Sequence, residues 1–209
     1  MTKKTIITIG RQFGSGGRLI GQKLATQLNI PFYDKELISL AAQKTGLSPE
    51  VYEQADEKAA SGLLYSSLLG TYPLGLQLGN NYNMPVNDKL FLAQSSIIKE
   101  AAAAGSCVII GRCANYVLKD DPDCISLFIH APIKVRIDRA LEEYQMPAAR
   151  IEEAIEKIDK RRAAYYNYYA DTRWGKIGSY HFSMDSSVLG IDGTAALIAA
   201  LIGLKERRD

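Results

Sequence analysis

Thr5-Ile6-Ile7-Thr8-Ile9-Gly10-Arg11-Gln12-Phe13-Gly14-Ser15-Gly16-Gly17-Arg18 runs from an apolar strand into a glycine-rich turn, and Leu19 to Leu28 continues as a helix. A strand, a glycine turn and a helix in that order make a cradle for phosphate. Glycines let backbone N–H groups converge on an anion, and the helix adds its positive N-terminal end. Gly14, Ser15, Gly16, Gly17 and Arg18 are the candidates for holding a nucleotide's phosphates. The loop departs from G-x-x-x-x-G-K-[ST] at three positions. Arg11 stands at the first Gly, Gly17 at the Lys and Arg18 at the Ser or Thr. Arg18 is the expected substitute for the missing cation, as a planar fork rather than a compact ammonium. Arg11 and Lys23 are lesser candidates, and Lys23 lies more than a helical turn past the loop.

Outward from the loop, five short runs read as strands: Thr5–Ile9, Pro31–Tyr33, Cys107–Ile110, Ile125–His130 and Tyr180–Met184. They are apolar on both faces rather than alternating, which suits a parallel sheet covered by helices. Helical patterns fall between them, at roughly Arg18–Leu28, Asp34–Lys44, Asp88–Ala104, Ile133–Tyr144, Ala148–Tyr169 and Gly193–Leu204. Alternation of this kind predicts an α/β fold, a doubly wound parallel sheet of five strands with helices on both faces. Residues 1–209 make one such domain, with 144–176 as a helical lid. Ligands of these sheets sit beyond the carboxyl ends of the strands. That directs attention to the loops at Gly10–Arg18, Asp34, Gly111–Val117 and Tyr144.

Composition narrows the function. The chain has 209 residues, 47% hydrophobic and 23% charged, with a net charge of +2. That balance gives no reason to expect a nucleic-acid partner. Three cysteines without metal-ligand spacing read as reduced thiols of a cytoplasmic protein. No signal-peptide pattern and no membrane-length apolar run stands out, so no membrane partner is expected. One segment breaks the pattern: residues 59–87 carry no Asp, Glu, Lys or Arg, but several leucines, Tyr65, Tyr72, Tyr82 and four glycines. It reads either as a loosely packed connection or as an inserted arm that meets substrate or makes a homodimer contact.

Further constellations carry charge to the expected site. Gly111-Arg112 places an arginine at a strand's carboxyl end, suited to a phosphate contact. Arg136 and Arg139 share a helix face, as do Asp159 and Arg162; with Arg150, Arg161 and Arg173 they form a cationic group near the site's mouth. Each single pair is compatible with a solvated helix face, but as a group they suit the charge that develops in phosphoryl transfer. Asp34 is the candidate for orienting an acceptor or a metal-bound water, and it also suits a helix N-cap. Tyr165, Tyr166, Tyr168 and Tyr169 read mainly as packing against Trp174 and Tyr180, and His130 and His181 as strand-end residues.

These residues together resemble the cytidylate kinase-like family of P-loop NTPases, relatives of the bacterial nucleoside monophosphate kinases. The resemblance is nearly end to end. It rests on Ile9–Arg18, Phe32-Tyr33-Asp34, Ile110-Gly111-Arg112, His130-Ala131-Pro132 with Val135-Arg136 and Arg139, Asp159-Lys160-Arg161-Arg162 with Tyr165-Tyr166, and Ser186–Ile191. It implies ATP-dependent phosphoryl transfer, with Mg²⁺, to a nucleoside monophosphate or related small molecule. It implies that Gly14 to Arg18 hold the donor, Asp34 and Arg112 the acceptor, and that Arg139 and Arg162 stand at the lid. Arg18, Arg139, Arg162 and Asp34 are then the candidate catalytic residues. Cys113 stands where those kinases carry Asp after Gly-Arg, so cytosine specificity has no support. The alternatives are an inactive nucleotide-sensing module and a kinase of a non-nucleotide acceptor.

Overall fold

The computed structural model of the chain describes residues 3–34, 37, 40 and 86–208. The uncharged 59–87 segment and most of the expected helix after Asp34 lie outside these residues, apart from the start of the helix at Val86. Five strands form one sheet in the order β2-β3-β1-β4-β5: β1 Ile6–Arg11, β2 Phe32–Tyr33, β3 Cys107–Ile110, β4 Cys124–His130 and β5 Phe182–Asp185. Every pairing is parallel, with Ile9 opposite Ile110 on one side and Leu127 on the other. The fold is thus the parallel, helix-covered sheet expected.

The sequence of β1 shows why both faces must be covered. Ile6 packs in one core with Ile98, Cys107 and Ile109, while Ile7 and Ile9 pack in another with Ile20, Leu24, Ile110 and Leu127. Successive residues of a strand point to opposite faces, so a run buried from Ile6 to Ile9 demands a layer on each. On the first face lie α2 Val86–Ala104 and the short α3 Ala114–Val117. On the second lie α1 Gly17–Leu28 and α6 Ser186–Arg208. Two helices, α4 Ile133–Glu142 and α5 Ile151–Tyr169, close a third small core through Ala140, Ile151 and Ile155 beside the phosphate loop.

Helix boundaries differ modestly from the sequence expectation. Helix α5 starts at Ile151 rather than Ala148, because Arg150 adopts a left-handed cap at φ 55°. Helix α6 begins at Ser186, but Gly190 (φ 66°, ψ −173°) breaks the path between its first turn and the expected run. Among the described residues α6 also contains the one span long and apolar enough to cross a membrane. Its Ala195, Ile198 and Ile202 are buried in the sheet's second core, while Val188, Leu189, Leu197 and Leu204 are exposed.

Candidate active site

The chain between β1 and α1 folds as a turn whose carbonyls are held from behind. Arg139 Nη1 donates to Gly14 O at 2.6 Å, Arg136 Nη1 to Phe13 O at 3.3 Å, and Ser186 Oγ to Ser15 O at 2.5 Å. In a trans peptide the C=O and the following N–H point opposite ways. Anchoring those three carbonyls therefore turns the Gly14, Ser15 and Gly16 amides away from the bracing side chains. The Ser15 amide closes the turn onto Gln12 O at 3.3 Å. Gly16 (φ 79°, ψ 1°) sits at the N-cap of α1, a left-handed position that glycine reaches without steric cost. Helix α1 then presents its first-turn N–H groups, which have no intrahelical acceptors.

The bracing has its own buried centre. Asp159, from α5, accepts from Phe13 N at 2.7 Å and from Arg136 Nη1 at 2.5 Å, and lies 3.9 Å from Arg162 Nη1. Burial pushes its carboxyl above the ordinary aspartate range, against the downward pull of the Phe13 N–H and Arg136. The Arg136–Asp159 pair is almost fully enclosed, at 8% and 12% side-chain exposure. A charge pair this deep is retained only with its hydrogen bonds in place. It fixes α4 and α5 to the loop.

In front of the loop is a cavity of about 720 Å³. Gly14, Gly16, Gly17, Arg18, Asp34, Arg112 and Arg162 all line it, so most of the residues expected at the site meet there. Ser15 and Arg139 do not. Ser15 is fully buried, with its hydroxyl donating to Gln12 O at 2.8 Å, and Arg139 stands behind the loop. Both shape the loop rather than the cavity wall. Lys23 is half exposed and pairs with Asp192, away from the site. A second cavity, about 220 Å³ around Asn115, Lys119 and His181, contains no residue of the loop.

The cavity wall is strongly cationic. Arg11, Arg18, Arg112, Arg161 and Arg162 contribute five guanidinium groups, and among the described lining residues Asp34 is the one carboxylate. Arg18 Nε donates to Asp34 Oδ2 at 2.7 Å, and Arg11 Nη2 lies 3.8 Å from Asp34 Oδ1. Arg18 therefore turns toward Asp34 instead of back over the loop. Burial and then the neighbouring Arg11 push Arg162 down to about 9. A guanidinium keeps its proton at neutral pH. The depression consequently registers positive charge held in a poorly solvated place without enough anions nearby, the condition that a phosphate-bearing ligand relieves.

The strand-end turn after β3 adds strain. Gly111, Arg112 and Cys113 have φ of 69°, 56° and 56° in succession. Left-handed conformations at two consecutive non-glycine residues cost on the order of 1–3 kcal/mol each and persist where surrounding structure imposes them. Here the turn puts Arg112 on the cavity wall. Cys113 is buried, and burial pushes its thiol up to about 12, so it faces the site as a neutral group. Helix α5 roofs the cavity with Ile158, Arg161, Arg162, Tyr165 and Tyr166, and Tyr144 and Trp174 add aromatic wall. Tyr144 packs 5.1 Å from Phe13, and Arg162 stands 5.6 Å from that ring.

The cytidylate kinase-like family model matches residues 6–188. The chain belongs to that family. Among solved structures, an uncharacterized protein from Eubacterium ventriosum ATCC 27560 is similar at 27% identity and a TM-score of 0.69, covering 96% of this chain and 99% of that one. A shikimate kinase from Bacteroides thetaiotaomicron is similar at 13% identity and a TM-score of 0.55, over 96% and 99% of the two chains. A shikimate kinase from Acinetobacter baumannii, solved with shikimate, reaches 0.53 at 15% identity, over 98% and 95%. The fold is therefore that of the P-loop kinases. A comparison with curated proteins finds no match.

Proposed function

We propose that the chain transfers the γ-phosphoryl group of ATP to a nucleoside monophosphate or a related anionic small molecule. The observation that carries this is the cavity wall: among the described lining residues, five arginines against one aspartate, in front of a glycine loop whose carbonyls are anchored from behind. A donor triphosphate alone would be served by the loop and one or two cations. The remaining arginines suit a second anion, the acceptor. At an effective dielectric of 20, unit charges 4 Å apart interact by about 4 kcal/mol, so a wall with this excess of guanidiniums favours an anionic acceptor over a neutral alcohol.

The division of labour follows from position. The Gly14 and Gly16 amides and the first turn of α1 take the donor phosphates. Arg112, at the strained strand end, and Arg18 with Asp34 stand across the cavity and orient the acceptor. Arg162 and Arg161 descend from α5 onto the charge that spreads over the transferring group. Tyr144, Tyr165 and Trp174 exclude water, which strengthens every one of those interactions. In this reading 144–176 is the lid, and the enzyme is cytoplasmic.

A protein-held magnesium site does not fit these residues. Arg18 replaces the hydroxyl of the P-loop pattern, Ser15 is buried, and Asp34 is already engaged by Arg18. Among the described residues no three carboxylate, histidine or cysteine side chains cluster for a metal. Magnesium is expected to arrive on ATP's own phosphates, and the steps above assign it no protein ligand.

The test is ADP release from ATP and Mg²⁺ across a panel of nucleoside monophosphates, with the unphosphorylated nucleosides as controls. Stimulation by one or more monophosphates and none by nucleosides is the expected result. A nucleotide-sensing module is the second reading, favoured by the loop's missing lysine; it binds ATP with no stimulation by any acceptor.

A further inference from the structure

We propose that Arg11 supplies the positive charge of the missing P-loop lysine, by an exchange of side chains between positions 11 and 17. The loop pattern has Gly first and Lys next to last; this chain has Arg11 first and Gly17 next to last. The geometry makes the two changes one. A Cβ on Gly17 would lie 2.6 Å from Arg11 Cβ and 3.3 Å from Arg11 Cγ. The space over the start of α1 therefore holds one stem, and Arg11 occupies it. Its guanidinium then lies on a second glycine, where a Cβ on Gly111 would be 2.0 Å from Arg11 Nη1. An arginine slotted between two glycines, its side chain 19% exposed, is held in place. Arg18, which the sequence alone favours for this role, is 43% exposed and turned onto Asp34.

The position of the slot suits the role. Arg11 ends β1 and leads into the donor loop, and its Nη2 comes within 3.8 Å of Asp34 on the acceptor side. Its carbonyl accepts from Arg162 Nη1 at 3.3 Å, which ties it to the roof. Burial lowers the Arg11 guanidinium from its ordinary value, Asp34 compensates in part, and the like charge of Arg18 lowers it further. One carboxylate shared by two guanidiniums leaves charge over for an incoming phosphate.

This inference rests on the proposed phosphoryl transfer. In that step an acceptor oxygen donates its electron pair to the γ-phosphorus. The bond from that phosphorus to the β–γ bridging oxygen breaks, and its pair leaves on ADP. A monophosphate acceptor enters as the dianion, so no proton needs to move. Arg11 offsets the charge that gathers on the moving group and on the leaving oxygen.

Turnover is compared in four variants: R11M, which keeps a stem without charge, R11G, G17K, and the double variant R11G/G17K. R11M is expected to lower turnover by ~10²-fold or more, with a much smaller loss of ATP affinity. The double variant is expected to regain at least about tenfold over R11G, because the introduced lysine then enters the vacated space. Ile129 Cβ, 3.1 Å from the new Cβ, must yield slightly. A thermal cycle reads the steric half without activity: G17A lowers the melting temperature in the wild type and much less in R11G. Turnover of R11M within about threefold of wild type overturns the inference alone. So does additivity of G17A and R11G, or a folded double variant no faster than R11G. A wild type that transfers nothing to any acceptor overturns the proposed function, and this inference with it.

Discussion

Arg136 and Asp159 show how one buried pair sets the shape of a ligand site it does not touch. Together they hold Phe13 by its N–H and its carbonyl. Removing one partner of a buried pair leaves an uncompensated charge, a loss of about 3–5 kcal/mol. Asp159→Asn is therefore expected to lower unfolding free energy by roughly that amount in denaturant titration, and an effect under ~1 kcal/mol would contradict this placement. The thiols give a pH prediction. Burial pushes Cys107 and Cys124 from 9.0 up to about 11, and Cys113 to about 12. The folded state therefore keeps these protons while the unfolded chain releases them. Stability contributed by the neutral thiols is present below about pH 9 and declines as pH rises toward 11 and 12. Alkaline melting curves of the wild type and a triple Cys→Ala variant check the sign: the wild type should lose more stability over this range. Native thiol reagent uptake at pH 8 should be slow, with thiolate near ~10⁻³ for a thiol shifted to 11.

At the scale of elements, Gly190 divides α6. Its ψ of −173° at φ 66° is a backbone region open essentially to glycine, and nothing lies within 4 Å of where a Cβ would stand. A substitution there meets no clash, so its cost is conformational alone. Gly190→Ala should lower stability by about 1–3 kcal/mol in thermal unfolding. A neutral result would mean that α6 runs straight. The break matters because Ser186, just before it, braces the loop through Ser15 O. Helix α5 is bound at its middle, by Asp159 to the loop, and at its C-terminal end by Tyr169, which stacks on Phe91 at 4.0 Å and donates to Asp88. Strands and long helices were legible because apolar runs and 3.6-residue periods are local signals. Helix α3 was not, since four residues are too few to show a period. The tyrosine packing was half legible: Tyr166 does meet Tyr180, but Tyr165 and Tyr169 pack on Phe91.

At the scale of the molecule, the sheet order brings the end of β1 between the ends of β3 and β4, so loop, Arg112 and the α4–α5 unit converge. The sequence showed which residues carry charge, and Gly14, Gly16, Arg18, Asp34, Arg112 and Arg162 do share one cavity. It did not show which way each side chain turns. Arg139 and Arg162 look alike in sequence, yet one braces the loop's back and the other faces the cavity. Arg11 stands out little in the sequence because the residue it packs against is Gly17, and an occupied space leaves no mark on a one-dimensional pattern. Phosphorus NMR of the chain with ATP, Mg²⁺ and a responsive nucleoside monophosphate tests the account most directly. The expected result is replacement of the γ-phosphoryl signal by that of a phosphoanhydride on the acceptor, with ADP in equal amount. ATP that stays intact beside every acceptor, or that yields only inorganic phosphate, would contradict it.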